Sequence, residues 1–124
     1  MHKLSDQGAT LARESDAVIY THAGPEVAVA STKALTAQIT AGFLLALFLG
    51  AGREQLSTTE LRNLGLELLK MPAHVTEVIE NLDLARQLGK DMANAKSVLF
   101  LGRNVGFPIA MEGALKLKEL AYIH

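Results

Sequence analysis

Cysteine is entirely absent from this sequence of 124 residues. The chain therefore has no disulfide bond, no thiolate metal ligand and no cysteine nucleophile of its own. Such a composition is compatible with the cytosol, where thiols stay reduced, and we expect a cytoplasmic location. The four histidines are scattered without metal-ligand spacing, so we predict no metal site, and we predict no cofactor.

An excess of basic residues is also lacking, since 12 Lys and Arg residues stand against 13 Asp and Glu residues. Proteins that bind nucleic acids neutralise phosphates with clustered positive charge, so we predict no nucleic-acid partner. Aromatic residues make up only 5% of the chain, but hydrophobic residues make up 49%. That apolar content is enough to support a core and is typical of a folded globular protein.

Long hydrophobic runs are scarce, and the N-terminus lacks the apolar stretch of a secretory signal. The most apolar run, AGFLLALFLGAG at residues 41–52, is shorter than the roughly 20 residues that a bilayer requires. We interpret it as a helix of a soluble α/β protein that should be enclosed on more than one side. A small membrane-associated helical protein is the lowest-ranked alternative.

Two short apolar runs predict β-strands. Residues 16–24 (DAVIYTHAG) are β-rich and bounded by an acid and a glycine, and residues 96–103 (KSVLFLGR) hold a continuous apolar run that ends at a glycine. With helical patterns between and after them, the order of elements is typical of α/β proteins. Two strands are too few for a covered parallel sheet, so we predict a helix-rich α/β chain with an incomplete sheet.

Helical patterns fill the rest of the chain. One helix is predicted from about residue 32 to residue 50, and the next begins with the capping-box sequence STTE at residues 57–60. Pro72 should end or restart that helix, and the pattern continues over residues 74–95. Pro108 suits the first turn of a final helix that is expected to run to the end of the sequence.

A first candidate site lies where the first predicted strand leads into a helix, in GPEVAVASTKA at residues 24–34. Small residues there permit a close approach, and a helix N-terminus offers free N–H groups to an anion. Lys33 in the first turn opposes the helix dipole by about 0.3–1 kcal/mol, which makes sense if an acid or phosphate lies nearby. An ordinary N-cap at Ser31 or Thr32 with a solvated lysine explains the same residues and stays open.

A second candidate site lies on the final helix. Glu112, Lys116 and Glu119 are spaced four and then three residues apart, which places them in one narrow wedge of the helix. A carboxylate beside a lysine keeps its charged form and can accept a proton. A routine surface stripe of ion pairs explains the same spacing. The opposite face carries residues small enough for close packing: Ala110, Ala114, Leu117 and Ala121.

Four stretches in this order carry a resemblance to a known family: RESD (13–16), AGPEVAVASTKA (23–34), LFLGR (99–103) and EGALKLKELAYIH (112–124). They resemble the isomerase half of the glutamine–fructose-6-phosphate aminotransferases (isomerizing), also called glucosamine-6-phosphate synthases. The resemblance covers residues 8–124, whereas residues 1–7 depart from the family pattern. It implies sugar-isomerase (SIS) domains with doubly wound parallel sheets. Residues 1–56 would end the first SIS domain, 57–88 would form a helical connector, and 89–124 would begin the second SIS domain.

The resemblance also implies a function. The complete enzyme, commonly a homodimer, converts fructose 6-phosphate and glutamine to glucosamine 6-phosphate and glutamate. Glu119 matches the glutamate proposed to move a proton between C1 and C2 of the sugar, and Lys116 matches a lysine beside it. Val29 and Ser31 match residues that contact the chain of the sugar phosphate. The predicted substrate-binding segment is Val29, Ala30, Ser31 and Thr32, and the expected partner is a phosphosugar, not a nucleic acid or a membrane.

Several parts of the family's active site have no counterpart in this sequence. The glutaminase cysteine, the Ser/Thr-rich phosphate loop, the histidine that assists ring opening and the lysine that forms a Schiff base are all absent. We therefore expect a piece of a larger enzyme, cut inside the active site and inactive by itself. A non-catalytic SIS-like module that binds a phosphosugar is the alternative, and the flanking sequence would distinguish the two.

Overall fold

The computed structural model describes residues 9–124, in which all regular secondary structure is helical. Residues 1–7, whose sequence departs from the family pattern, lie outside this part. The chain divides into two compact units between Leu61 and Arg62. Within the described residues the helices are α1 (Thr10–Glu14), α2 (Lys33–Gly52), α3 (Thr58–Glu80), α4 (Asp83–Asp91) and α5 (Gly106–Ala121).

The predicted α/β fold with a partial parallel sheet is wrong for this chain, because residues 9–124 contain no strand. The segments 17–24 and 96–103 are irregular, although their composition suits strands. A strand is stabilised by hydrogen bonds to a neighbouring strand and by apolar layers on its faces. No neighbouring strand exists in the described part of the chain, and the side chains of Leu99 and Leu101 are 88% and 89% exposed. Strand propensity alone does not supply these partners.

The predicted helix boundaries are confirmed at three places. Helix α2 covers Lys33–Gly52 against a prediction of about 32–50, and α3 begins directly after the capping residue Ser57. Pro108 lies in the first turn of α5, where its missing N–H costs no helical hydrogen bond. The starts of α3 and α5 are set by local chemistry, which a sequence carries without reference to tertiary contacts.

Helix α2 is less enclosed than its composition predicts. Ala34 is its one buried residue, whereas Phe48 is 72% exposed. With 20 residues α2 is long and apolar enough to cross a membrane by length and composition alone, which corrects the shorter span inferred from residues 41–52. Core helices of soluble proteins pass the same test, so the finding is weak evidence for a membrane.

Pro72 does not end a helix, as was predicted, but lies inside α3. The break falls later, at residues 81–82, and divides the predicted helical stretch 74–95 between the end of α3 and α4. At this break the side-chain amide of Asn81 donates a hydrogen bond to the carbonyl oxygen of Glu77 at 2.8 Å. The backbone N–H of Asn81 bonds to the same carbonyl at 3.2 Å. Asn81 therefore satisfies a terminal carbonyl of α3 with its own side chain.

Helix α5 ends before the end of the chain, contrary to the prediction that it continues. Tyr122 adopts a left-handed backbone conformation with φ 56°, and its N–H bonds to the carbonyl oxygen of Lys118 at 3.2 Å. This conformation terminates a helix, although glycine is the usual residue for it. The carbonyl oxygen of His124 then accepts a hydrogen bond from the N–H of Val98 at 3.0 Å.

Helix α5 packs through its smallest residues against the segment that precedes it. A methyl group at Gly113 would lie 2.9 Å from Cε1 of Phe100, so the phenyl ring rests directly on this glycine. Gly102 lies similarly against the backbone of Gly106 and the side chain of Ala110. The predicted packing face is therefore partly wrong: Ala110 and Leu117 are half-buried, but Ala114 and Ala121 are exposed.

Candidate functional site

The loop before α2 is closed by a carboxylate. Glu26 Oε2 accepts hydrogen bonds from the backbone N–H groups of Ala34 at 3.0 Å and Thr32 at 3.2 Å. Its second oxygen, Oε1, accepts the hydroxyl proton of Thr32 at 3.1 Å. Thr32 is the N-cap residue, as predicted, but its own side chain makes no capping bond to the helix. Glu26 therefore supplies the cap from eight residues upstream of Ala34.

These bonds change the acidity of Glu26. The N–H of Ala34 is the largest cause that lowers the pKa of this carboxyl below its usual range, and the two bonds from Thr32 and the charge of Lys33 act in the same direction. Partial burial opposes the shift. Lys33 was expected to have an acid nearby because it opposes the helix dipole, and Glu26 is that acid.

The predicted substrate-binding residues occupy the loop that Glu26 closes. Val29 is 79% exposed, whereas Ala30 is 1% exposed and belongs to the core. Ser31 is half-buried and Thr32 is exposed, with its hydroxyl and N–H both bound to Glu26. The segment thus has one side anchored in the protein and one side open to solvent.

The three charged residues predicted to share a wedge of α5 do meet. The Nζ atom of Lys116 lies 2.8 Å from Glu119 Oε2 and 3.1 Å from Glu112 Oε1. The side chains of Lys116, Glu112 and Glu119 are 22%, 32% and 28% exposed. The ion pair of Lys70 and Glu67, also three residues apart, is by contrast 57% and 65% exposed. The wedge is consequently less screened by water than an ordinary surface pair.

The ammonium group of Lys116 is held in its charged form. Its hydrogen bond to Glu119 is the largest cause that raises its pKa above the usual range, and Glu112 adds to the effect, while partial burial opposes it. Glu119 Oε1 has no hydrogen-bond partner within residues 9–124. The arrangement can therefore offer a free carboxylate oxygen as a proton acceptor beside a fixed positive charge.

The two candidate sites lie in different units of the chain. Residues 26–34 belong to the unit that ends at Leu61, and the wedge on α5 belongs to the unit that begins at Arg62. Neither contains a group of three or more His, Asp or Glu side chains placed to hold a metal ion, as far as the described residues go.

Glu26 was not among the site residues predicted from the sequence. The signal was present, since an acidic residue follows the Gly24–Pro25 turn and precedes a helix N-terminus that carries no other acid in its first turn. The interaction spans up to eight residues, so its existence depends on the path of the loop and not on a fixed local spacing.

Several known proteins that are similar to this chain carry the same name. No protein-family model matches the sequence. The glutamine–fructose-6-phosphate aminotransferase (isomerizing) of Corynebacterium efficiens is 58% identical over 117 residues, which are 94% of this chain and 19% of that protein. The protein of the same name from Leifsonia xyli is 58% identical over 118 residues, and that from Thermus thermophilus is 47% identical over 121 residues.

The chain thus spans about a fifth of the length of these curated relatives. The match to the Thermus thermophilus protein extends over 98% of the chain, so it includes both candidate sites. The resemblance seen in the sequence is confirmed. Over nearly its whole length, this chain is homologous to a segment of the glutamine–fructose-6-phosphate aminotransferases (isomerizing).

Proposed function

We propose that this chain supplies part of the sugar site of an enzyme that converts fructose 6-phosphate and glutamine to glucosamine 6-phosphate and glutamate. The observation that carries the proposal is the Lys116–Glu119 contact of 2.8 Å, which leaves one oxygen of Glu119 without a partner among residues 9–124. The names of the relatives support this choice of substrate and reaction.

In the proposed reaction Glu119 is the catalytic residue. Its carboxylate takes a proton from C1 of the sugar and returns it at C2, which converts a ketose skeleton to an aldose skeleton. General base catalysis of this kind contributes about 10²–10⁴-fold to a rate. Lys116, the other residue predicted to be catalytic, is proposed to act through Glu119, because its ammonium group lies 2.8 Å from Glu119 Oε2 and holds that carboxylate in place.

Val29, Ala30, Ser31 and Thr32 are proposed to bind the sugar phosphate. Ala30 anchors the segment in the core, which leaves the backbone around Val29 and the hydroxyl of Ser31 to contact a polar ligand. Backbone groups and hydroxyls are common contributors of specificity in small-molecule sites. We propose no cofactor for this part of the reaction.

We propose that the whole protein is a cytoplasmic homodimer that binds neither nucleic acid nor membrane. Residues 1–56, 57–88 and 89–124 are proposed as the end of one sugar-isomerase domain, a connector and the beginning of a second domain. By itself the chain is expected to be inactive.

A segment exchange tests the function directly. In the Corynebacterium efficiens relative, the matching residues are replaced by those of this chain, and glucosamine 6-phosphate formation is measured. We expect the chimera to be active. Glu119→Gln should lower kcat by about 10²–10⁴-fold with little change in KM for fructose 6-phosphate, because it removes the base but keeps the shape.

Glu67→Gln is the matched control, since it breaks an exposed Lys–Glu pair with the same spacing of three residues. This variant should keep the kcat of the chimera. Retention of full kcat by Glu119→Gln would overturn the catalytic assignment. A chimera that binds fructose 6-phosphate without turning it over would favour the non-catalytic binding module.

A further inference from the structure

We propose that Glu26 is a positioning residue that fixes the backbone of residues 29–31 for contact with the sugar phosphate. The inference rests on the proposed function for the identity of the ligand, but the closure of the loop by Glu26 is a property of this chain alone. Glu26 does not touch the substrate in this proposal and acts through the loop that it closes.

The contacts of Glu26 define a closed ring of backbone. The carboxylate joins the start of the loop to the N–H groups of Thr32 and Ala34, the cap and second residue of α2. Both oxygens take part, because Oε1 also accepts the Thr32 hydroxyl proton. Three bonds from one side chain leave the intervening residues few ways to rearrange, since both ends of their segment are fixed.

Burial within this ring is one-sided. Ala30 and Ala34 are 1% and 8% exposed, and they are two of the three buried hydrophobic residues in the described chain. Val27 and Val29 are 94% and 79% exposed. The ring therefore holds one side of the loop in the core and presents the other side outward at the residues assigned to the ligand.

The charge state of Glu26 controls this closure. Lys33 is the charged neighbour of the carboxylate and favours its ionised form together with the N–H donors. A carboxyl whose pKa is lowered in the folded chain stabilises it above the ordinary glutamate range and loses that effect as the pH falls through the lowered pKa. The ring is consequently stabilised at neutral pH and loses that stabilisation in acid, as Glu26 takes up a proton.

The test uses the full 124-residue chain, labelled with ¹⁵N and followed by NMR from neutral to acidic pH. We expect the amides of Thr32 and Ala34 to report one titration below the ordinary glutamate range, with the amides of residues 29–31 moving in parallel. Glu26→Gln, which keeps the size of the side chain, should abolish this titration and lower the exchange protection of the Ala34 amide about tenfold. Glu54→Gln, at an exposed carboxylate of the same unit, should change neither.

A second measurement connects the ring to the ligand. In the chimeric enzyme, Glu26→Gln should raise KM for fructose 6-phosphate about tenfold and change kcat less than about threefold, because it disturbs binding and not the base. An unchanged amide titration in Glu26→Gln, or an unchanged KM, would overturn the proposal. Failure of the unsubstituted chimera would count against the proposed function instead, and the amide titration would then decide the role of Glu26 alone.

Discussion

Lys116 has a carboxylate on each side along α5, four residues before it and three residues after it. When all three groups are ionised, their sum is one negative charge, so the cation does not neutralise the wedge. Partly exposed ion pairs contribute little to stability because water and salt screen them. The more important effect of Lys116 is local, since its ammonium group fixes the position of the Glu119 carboxylate.

The titration of Lys116 should depend on Glu119. The pKa of Lys116 is raised in the folded chain, so its ion pairs stabilise the fold fully below the pKa that this lysine has in the unfolded chain. This stabilisation is lost as the pH rises through the higher pKa of the folded chain. On the alkaline side of neutral pH, the wedge should therefore persist until Lys116 loses its proton in strong alkali. We expect Glu119→Gln to lower the midpoint of the Lys116 side-chain titration, measured by the ¹³Cε NMR shift.

Glu67→Gln again serves as the control for this titration, and it should leave the Lys116 midpoint unchanged. If Glu119→Gln also leaves the midpoint unchanged, the 2.8 Å contact between Lys116 Nζ and Glu119 Oε2 does not determine the titration of Lys116. The assignment of Lys116 as the partner of the base would then be wrong.

The sequence predicts the wedge but not the loop closure, for a physical reason. Residues three or four positions apart on a helix are neighbours on its surface, independently of tertiary contacts. The grouping of Glu112, Lys116 and Glu119 could therefore be predicted. Their contact is confirmed by the distances, whereas their role in catalysis stays a prediction. Glu26 reaches a helix terminus across an irregular loop, and no fixed spacing announces such a contact.

At the scale of elements, the start of α3 is defined by a reciprocal pair. Glu60 Oε2 accepts the backbone N–H of Ser57 at 2.8 Å and its hydroxyl proton at 2.7 Å, while the Glu60 N–H donates to Ser57 Oγ at 3.3 Å. The predicted capping box is thus confirmed. The hydroxyl of Ser57 is the largest cause that lowers the pKa of Glu60.

Ser57→Ala should loosen the first turn of α3. The variant removes the side-chain cap, which is typically worth about 1 kcal/mol of helix stability. We expect faster amide exchange at Glu60 and Leu61, measured by NMR, with α5 unaffected. Thr59→Ala, a change at an exposed neighbouring position that makes no capping bond, is the control. Equal exchange rates in both variants would contradict the cap.

Pro72→Ala should strengthen α3. Proline inside a helix removes one N–H donor and crowds the preceding turn, at a cost of about 3 kcal/mol. The variant is therefore expected to raise helix content by circular dichroism and to raise Tm. Met71→Ala, which replaces a 46% exposed neighbour without adding a hydrogen-bond donor, is the control. An unchanged or lower Tm in Pro72→Ala would contradict the expected cost of proline at this position.

The elements differ in how well the sequence predicts them. Helix α3 follows from a local capping box, and the extent of α2 follows from its apolar pattern, although the cap of α2 comes from Glu26. The two predicted strands do not form, because a strand needs a neighbouring strand as hydrogen-bond partner and residues 9–124 contain none. The end of α5 was missed because Tyr122 takes a left-handed conformation that sequence patterns normally reserve for glycine or asparagine.

At the scale of the whole molecule, apolar surface is the dominant property. The described chain buries three hydrophobic residues, all of them alanines, whereas large hydrophobic side chains remain exposed in both units. Exposed apolar patches promote association because the water around them is released on contact. A segment of a larger enzyme would have this character wherever its surface meets the remainder of that enzyme.

The isolated chain should therefore self-associate as its concentration rises. Phe48→Glu places a charge on the exposed apolar surface of α2, where Phe48 is 72% exposed, and should reduce the association. Sedimentation velocity over a series of concentrations measures the effect. Thr59→Glu adds the same charge at an exposed polar position and should not reduce it. A chain that stays monomeric throughout would contradict the expectation.

The contacts that Gly102 and Gly113 make beside and within α5 constrain substitution in different ways. At Gly113 an added methyl group meets the ring of Phe100, so a smaller side chain at position 100 could make room and the two positions can change together. At Gly102 the added methyl group meets the backbone carbonyl of Gly106 as well as the Ala110 side chain. A substitution changes side chains and leaves the backbone carbonyl of Gly106 in place, so a second mutation does not relieve this contact. A larger residue at position 113 therefore requires a matching change at position 100. Position 102 must remain glycine as long as α5 keeps its present place.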